Sequence, residues 1–386
     1  MKVCDVVVNS IWYDPRVRKQ INAYMSYEDI ELSCVGFKCP KYNEEKVKDI
    51  PCRVDFAEPN SKYAGKLKNP IKKILREISG QKAITKLIIE QNPDIIHAND
   101  LNALIPAYKA AKKLKCKLVY DSHEVFVENF FSQKKKLYAA YLKAKERHIV
   151  RRIDKMVCVS HAAADYFAKI YNIDKPMVVT NCSLKSEQFI SRIKNDGFEA
   201  LNHGQFYAGR GYDIMVESIP YFKDYPEIVL AIRGYGYLEK QLRNRVAEIG
   251  DENFKFYSPV HVKDLISSAS LSHVGVAITE AICLNFKLSV SNKIFEYASA
   301  GLPVIMSDIP EHRYLNGKYN FGIVLKEDTP KAFAEALIKL YTDKELYNEY
   351  SQNAIRLSRE VNWENEFKKL VCFEKKMVDK TEQENM

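Results

Sequence analysis

Residues 93–125 place the tightest limit on how this 386-residue chain can fold. PDIIHAND, residues 93–100, is a short apolar run of buried-strand type that ends in polar residues. LNALIPAYKAAKKLK then has amphipathic helical spacing, and KLVYDSHEVF is a second strand with its loop. A strand, helix and strand in this order imply parallel pairing through a crossover helix, the unit of a doubly wound α/β sheet. Ligands of such sheets collect outside the carboxyl ends of the strands. His97 and His123 stand at comparable strand ends. A lone histidine is usually a satisfied core group, whereas two at such ends would face one crevice.

A second stretch, KLSVSNKIFEYASAGLPVIMSDIPE (287–311), reads as a polar loop, a helix, a glycine stop, a short strand and another polar loop. Ser291 or Asn292 is placed to cap the helix, because a short oxygen-bearing side chain accepts from first-turn amides. Ile294, Tyr297 and Ala298 share one face, and Gly301 suits the stop. LPVIM (302–306) is the strand, ended by Ser307, Asp308 and Pro310. The amides of a helix N-terminus favour phosphate. Glu296, one turn in, lies off the apolar face. Its two acceptor oxygens suit a ribose diol, and a solvated helix glutamate is the plainer alternative.

Length allows two or three domains. Charged residues are 28% and hydrophobic ones 46% of the chain, as in ordinary globular proteins. No apolar run reaches the roughly 18 residues of a membrane span. MKVCDVVVNS is strand-like and not a leader, so a cytoplasmic place is expected. Nine cysteines occur without any CxxC pair, and Cys4 and Cys158 fall in apolar strands, as reduced core thiols do. Residues 1–180 hold 33 Lys and Arg against 21 Asp and Glu, and the remainder 26 against 29. A basic first half and a mildly acidic second half suggest two domains with different partners.

The rest of the chain extends the pattern. Lys2–Asn9 is a strand, and a helix starts near Pro15, where proline suits the first turn. Between them Asp14, Arg16, Arg18 and Lys19 lie near the strand's carboxyl end, in a ligand-facing loop or a solvated turn. A strand at Ile30–Phe37 precedes residues 38–69, which show no clear period, and a helix follows at 71–91. KKKLYAAYLKAKERHIVRRIDK (134–155) is a basic helix whose apolar side takes in Leu137, Tyr141, His148 and Ile149. It is either a solvated face or an electrostatic attachment to anionic lipid. A strand at 155–160, a helix capped by Ser160 and a strand at 176–180 finish a first domain, 1–182. A polar linker, 183–197, leads to a second domain, 198–360. EALNHGQFYAGRGYDIMVESI there reads as strand, glycine-rich loop and helix. Gly204, Gly209 and Gly211 allow close backbone approach, and Arg210 supplies a cation suited to a diphosphate. Strands follow near 228–233, 254–258, 271–279 and 321–325. Glu280 stands at the end of the third, and Gly234 and Val260 follow the first two. Helices near 330–340, 344–357 and 363–377 end the chain, and DKTEQENM is expected to fray.

KIFEYASAGLPVIMSD resembles the donor-site helix of the retaining glycosyltransferases of family four. Similar to that family are also DPRVRK after the first strand, IHAND, YDSHE and the GQFYAGRG loop. The resemblance implies a GT-B fold, two Rossmann-like doubly wound α/β domains facing a central cleft, with the last helix (361–386) crossing back to the first. It implies an acceptor-binding N-terminal domain, with Asp14, Arg16, His97 and Glu124 on the acceptor side, and His123 near the reacting sugar. The second domain would bind a nucleotide-sugar through Gly204, Gln205, Arg210, Gly211, Gly234, Val260, Ser291, Asn292, Lys293 and Glu296. Glu296 matches the ribose-binding glutamate, and the loop bearing Val260 meets the base. Two departures stand out. The family's first glutamate falls on Leu288, with Glu280 as an alternative for the sugar, and Gln205 replaces a frequent arginine, with Lys293 placed to compensate.

The implied reaction moves a hexose with retention from a UDP- or GDP-sugar to a lipid-linked or polysaccharide acceptor. It needs no cofactor or bound metal, and His123, Arg210 and Lys293 carry it. A cytoplasmic protein on the inner face of the plasma membrane would fit such acceptors. A catalytically silent partner subunit and a nucleotide-sugar epimerase are the alternatives. Binding of nucleic acid is suggested by the basic half alone, without base-stacking motifs.

Overall fold

The computed structural model describes residues 1–8, 11, 14–37, 50–58, 70–129, 136–191, 193–250 and 253–384. The chain divides into two compact units, Met1–Val179 with Glu366–Met386, and Thr180–Asn365. Each is built on one parallel sheet.

In the first unit the strands are β1 (Lys2–Val7), β2 (Glu31–Phe37), β3 (Arg53–Ala57), β4 (Ile95–Asn99), β5 (Lys117–Ser122), β6 (Lys155–Cys158) and β7 (Met177–Val178), in the order β3-β2-β1-β4-β5-β6-β7. Val3 pairs with Leu32 on one side and Ile95 on the other. The order therefore reverses between β1 and β4, the switch point at which doubly wound sheets hold ligands. Helices α1 (Pro15–Tyr24), α2 (Pro70–Gln91), α3 (Asp100–Leu114), α4 (Lys136–Val150) and α5 (His161–Tyr171) are the crossovers. Local chemistry sets their ends. The Asp14 carboxylate accepts from the amides of Arg16 and Val17 to start α1, and Ser160 Oγ accepts from Ala163 to start α5.

The second unit carries β8 (Phe198–Gln205), β9 (Ile228–Tyr235), β10 (Phe254–Tyr257), β11 (Val274–Ala277), β12 (Val304–Met306) and β13 (Gly322–Val324), ordered β10-β9-β8-β11-β12-β13. Its switch point lies between β8 and β11. Successive residues of each strand feed opposite layers. Ala200, Leu230, Val276 and Ile305 pack with Met215, Phe333 and Leu337, while Leu201, Ala231, Ala277 and Val304 pack with Ile294, Tyr297 and Ala298. Fully burying each valine, leucine or isoleucine among them contributes about 1.5–3 kcal/mol. The helices are α6 (Tyr212–Glu217), α7 (Glu239–Ile249), α8 (Leu265–Ala269), α9 (Leu284–Leu288), α10 (Asn292–Ser299), α11 (Pro310–Tyr319), α12 (Pro330–Thr342) and α13 (Lys344–Glu360). A last helix, α14 (Trp363–Glu384), begins in this unit, and its residues from Glu366 on belong to the first.

Several local expectations change. β3 lies inside the segment read as patternless, because RVDFA is an edge strand whose Arg53 and Asp55 pair with each other at 3.0 Å. The polar loop expected to run to Glu311 gives way at Pro310 to the helix α11, which buries only Glu311, His312, Leu315 and Tyr319. The loop before the 292–299 helix contains α9. The buried face of α4 is Ala139, Leu142, Glu146, Ile149 and Val150, whereas Leu137 is 90% and Tyr141 53% exposed. The face turns because Glu146 goes inward, accepting from the hydroxyls of Tyr120 (2.7 Å) and Tyr171 (2.6 Å). The expected strand at 271–279 shortens to β11. Among the described residues, no helix is long and apolar enough to cross a membrane.

The first unit is tied together by buried charge. Arg16 makes a two-pronged contact with Asp121 (3.0 and 2.7 Å) and donates to the carbonyl of Val179 at 3.1 Å. Burial would raise the Asp121 pKa, but the Arg16 guanidinium, His123 and His97 together outweigh it and hold the carboxyl well below the usual range. His97 Nδ1 lies 3.2 Å from Glu374 of α14, and Tyr24 donates to the same carboxylate at 2.9 Å. Burial alone would lower the His97 pKa; hydrogen bonds to Asp121 and Glu374 overcome it and raise the imidazole from 6.5 to about 10. That stabilisation is complete below 6.5 and is lost as pH rises through 10. Stability measured by urea denaturation should therefore decline across that window. Glu374→Ala should cost about 3–5 kcal/mol, as expected when one partner of a buried pair is removed, and should flatten the decline. A cost below 1 kcal/mol with an unchanged pH slope would show that α14 is not held by this pair.

Candidate functional site

At the carboxyl end of β8 the chain turns through a glycine loop into α6. Gly211 has φ +71°, and a Cβ there would stand 2.4 Å from Ile278. Gly234, at the end of β9, has φ +144°, and its Cβ would fall 1.8 Å from the carbonyl oxygen of Gly204. Only glycine permits either approach, so the two strand ends and their loop form a tight backbone cradle. Arg210 rises from it with its guanidinium 4.7 Å from the ring centre of Phe286. Burial lowers the guanidinium pKa, which marks a partly desolvated cation. Gln205 is exposed and donates weakly, at 3.4 Å, to the hydroxyl of Tyr235.

Helix α10 brings the second cation. Lys293 is 9% exposed, and its Nζ donates to Asn202 Oδ1 at 2.6 Å. Asn202 in turn donates from Nδ2 to the carbonyl of Arg210 at 3.0 Å, so one buried amide joins the lysine to the glycine loop. Desolvation, helped by Arg210 and opposed by Glu296, lowers the Lys293 pKa from 10.5 to about 7. The Tyr212 ring lies 5.2 Å from Nζ, and its buried hydroxyl has no hydrogen-bond partner among the described residues. Ser291 takes the N-cap position, yet its side chain makes no cap bond, so the expected hydroxyl cap of α10 is not formed. Asn292 beside it is exposed.

Glu296 is set by a residue that sequence reasoning missed. His203 Nε2 lies 2.6 Å from Glu296 Oε2, and the His203 ring packs at 4.6 Å on Tyr297. The Tyr297 hydroxyl accepts from the amide of His203, which locks β8 to α10. Polar residues interrupting the apolar run of β8, Asn202 and His203, were the signal available in the sequence. Leu288 is a buried residue at the end of α9. Glu280 follows β11 with its amide donating to Gly209 at 3.2 Å. Its Oε1 is buried without a hydrogen-bond partner among the described residues, and burial, then Asp213 and Asp328, raise its pKa. Val260 is 37% exposed in the loop after β10.

In the first unit, His123 follows β5 and is 14% exposed at its side chain. Nε2 lies 3.0 Å from Asn99 Oδ1, Nδ1 lies 3.4 Å from Asp100, and its amide donates to Asp100 Oδ1 at 3.0 Å. The next residue, Glu124, accepts from Asn129 at 3.0 Å. Asp14 serves as the α1 cap, Arg16 is 3% exposed and His97 is fully buried. Asp14 is thus a local cap, whereas Arg16 and His97 are structural bridges, formed by ion pairs to Asp121 and Glu374 between segments about 100 residues and more apart.

A cradle of backbone, two partly desolvated cations and an oriented carboxylate can hold a diphosphate and a neighbouring diol. Known proteins carry the same two-part plan. A model described as Glycosyltransferase Family 4 matches residues 34–183, and one described as Glycosyl transferases group 1 matches residues 185–357. An uncharacterized glycosyltransferase of Methanocaldococcus jannaschii is 23% identical over 274 residues, 66% of this chain and 68% of its own. The sucrose-phosphate synthase of Thermosynechococcus elongatus superposes with a TM-score of 0.77 at 12% identity, over 98% of this chain and 99% of that one. The HepE protein of Anabaena, solved with UDP and glucose, gives 0.73 at 13%, over 99% and 100%. The two family models together span most of the chain, each falling almost wholly on one parallel-sheet unit, and on these grounds the chain belongs to the glycosyltransferases of the GT-B fold.

Proposed function

We propose that this glycosyltransferase moves a hexose, with retention, from a UDP- or GDP-sugar held by the second unit to a lipid-linked or polysaccharide acceptor. The observation that carries the reading is the Lys293–Asn202–Arg210 link beside the glycine cradle, one helical turn from Glu296. Arg210, Lys293 and the first amides of α10 offset the charge that develops on the departing nucleoside diphosphate. Glu296, oriented by His203, accepts from the ribose hydroxyls. Glu280 takes the place of the family's first glutamate, which is Leu288 here, and accepts from sugar hydroxyls, a role open to a carboxyl whose Oε1 is buried without a hydrogen-bond partner among the described residues. In the first unit, His123 is the side chain assigned to the transfer step. No side chain is assigned as nucleophile; the acceptor hydroxyl attacks on the leaving-group face. The UDP bound by the Anabaena protein supports a nucleotide-sugar as donor.

The acceptor reading rests on α4. Leu137, Tyr138 and Tyr141 are exposed on it, and Lys145 Nζ lies 5.7 Å from the Tyr141 ring centre. Apolar side chains among basic ones suit the interface of an anionic bilayer. Lys72 is exposed on α2. Lys62, Lys66 and Lys68, counted with it toward this basic surface, lie outside the described residues, as does the Lys73 side chain.

Calorimetric titration with an intact nucleotide-sugar tests the donor site. Glu296→Gln should weaken binding by about 1–3 kcal/mol, the loss of a charge-assisted hydrogen bond. Unchanged affinity would remove Glu296 from the site. The same titration across pH 6–8.5 tests Lys293. A bound diphosphate favours the charged amine, so binding takes up a proton and weakens as pH rises through about 7. Lys293→Arg should remove that dependence, and a flat wild-type profile would contradict it. For the acceptor side, sedimentation with anionic vesicles should be strong at low salt, weak at high salt and absent with neutral vesicles. Negligible pelleting throughout would favour a soluble acceptor.

A further inference from the structure

Asp100 stands in a conformation that an ordinary residue avoids. It follows β4 directly and opens α3 with φ +63°, in the left-handed region that only glycine, asparagine and aspartate visit readily. Strained residues of this kind persist where surrounding contacts over-determine them, often at functional positions. Here the contacts lead to His123. Asp100 Oδ1 accepts the His123 amide at 3.0 Å, and Oδ2 faces Nδ1 at 3.4 Å.

The other ring nitrogen is constrained by Asn99. Its Nδ2 donates to the Val6 carbonyl at 3.2 Å and to the Asp5 carboxylate, so the amide orientation is settled by two acceptors on one side. Asn99 Oδ1 is then the atom that meets His123 Nε2 at 3.0 Å. An amide oxygen only accepts, so Nε2 must carry a hydrogen. With a carboxylate facing Nδ1, the second nitrogen is also best protonated.

We propose that Asp100 is a positioning residue that keeps His123 as an imidazolium with its ring hydrogens turned to Asn99 and Asp100, so that His123 acts as a fixed cation and not as a general base. Its meaning for catalysis rests on the reading that assigns His123 to the transfer step; its protonation does not. The charged groups around it are Asp100 from α3, Asp121 from β5 at 3.7 Å, Arg16 from α1, Asp5 from β1 behind Asn99, and His97 from β4. Burial pulls the His123 pKa down, Arg16 does so more weakly, and Asp100 and Asp121 raise it to a net position above 6.5. If the acceptor hydroxyl loses its proton in the reaction, another group must take it, and on the proposed front-face path that group is the departing phosphate.

Histidine ring nitrogens can be read in the full chain by long-range proton–nitrogen spectra of nitrogen-15 histidine-labelled protein, with His123→Gln assigning the signal. The expected wild-type result is a ring that titrates above 6.5 and leaves its last proton on Nε2. In Asp100→Asn, which tolerates the same backbone region and retains an acceptor for the amide, the midpoint should fall by about one pH unit, a tenfold loss of proton affinity. A neutral wild-type ring at pH 7 with bare Nε2 would overturn the proposal, as would an unmoved midpoint in a folded Asp100→Asn. Should that variant fail to fold, the wild-type tautomer still decides. These spectra need no donor or acceptor, so their outcome is separate from whether the chain transfers a sugar.

Discussion

The hydrogen bond from Lys293 to Asn202 holds the second unit's candidate site together. Asn202 is fully buried on β8, the strand at the switch point of its sheet, and its amide spans from α10 to the backbone of the glycine loop. An ammonium group in so dry a place is costly unless an anion comes to meet it. The fold therefore holds a lysine close to its neutral form beside a partly desolvated arginine. A diphosphate would meet both needs at once: it would restore the lysine's charge and neutralise the arginine's.

The first unit handles buried charge in the opposite way. Asp121 sits among Arg16, Gln20, His97 and His123, and Glu374 closes the far side of His97. Every member of that cluster has an ionic or hydrogen-bonded partner within the unit, so it acts as a brace. His123 is at its edge, half committed to the brace through Asn99 and Asp100 and partly open to solvent. Polar strand ends of similar appearance thus serve different purposes in the two sheets.

Much of this was legible in the sequence, because continuous apolar runs followed by amphipathic stretches have few solutions other than parallel α/β layers. The edge strand β3 and the helix α11 were not, since an edge strand carries charge and α11 buries little apolar surface. For the site, Arg210, Lys293 and Glu296 stand out locally by their places in a glycine loop and at a helix start. His203 and Asn202 do not, because their importance comes from partners 93 and 91 residues away. Arg16 and His97 show the reverse. Their positions suggest a ligand edge, yet ion pairs to Asp121 and Glu374, invisible in one dimension, draw both into the core.

The central claim is that the second unit holds a nucleotide-sugar. Thermal unfolding of the full chain with UDP-, GDP-, ADP- and CDP-sugars tests it most directly. A ligand at 100 times its dissociation constant adds about 2.7 kcal/mol to stability, which corresponds to a rise of several degrees. The account predicts such a rise with a UDP- or GDP-sugar and its loss in Arg210→Ala. No shift with any member of the panel, at concentrations up to several millimolar, would contradict it.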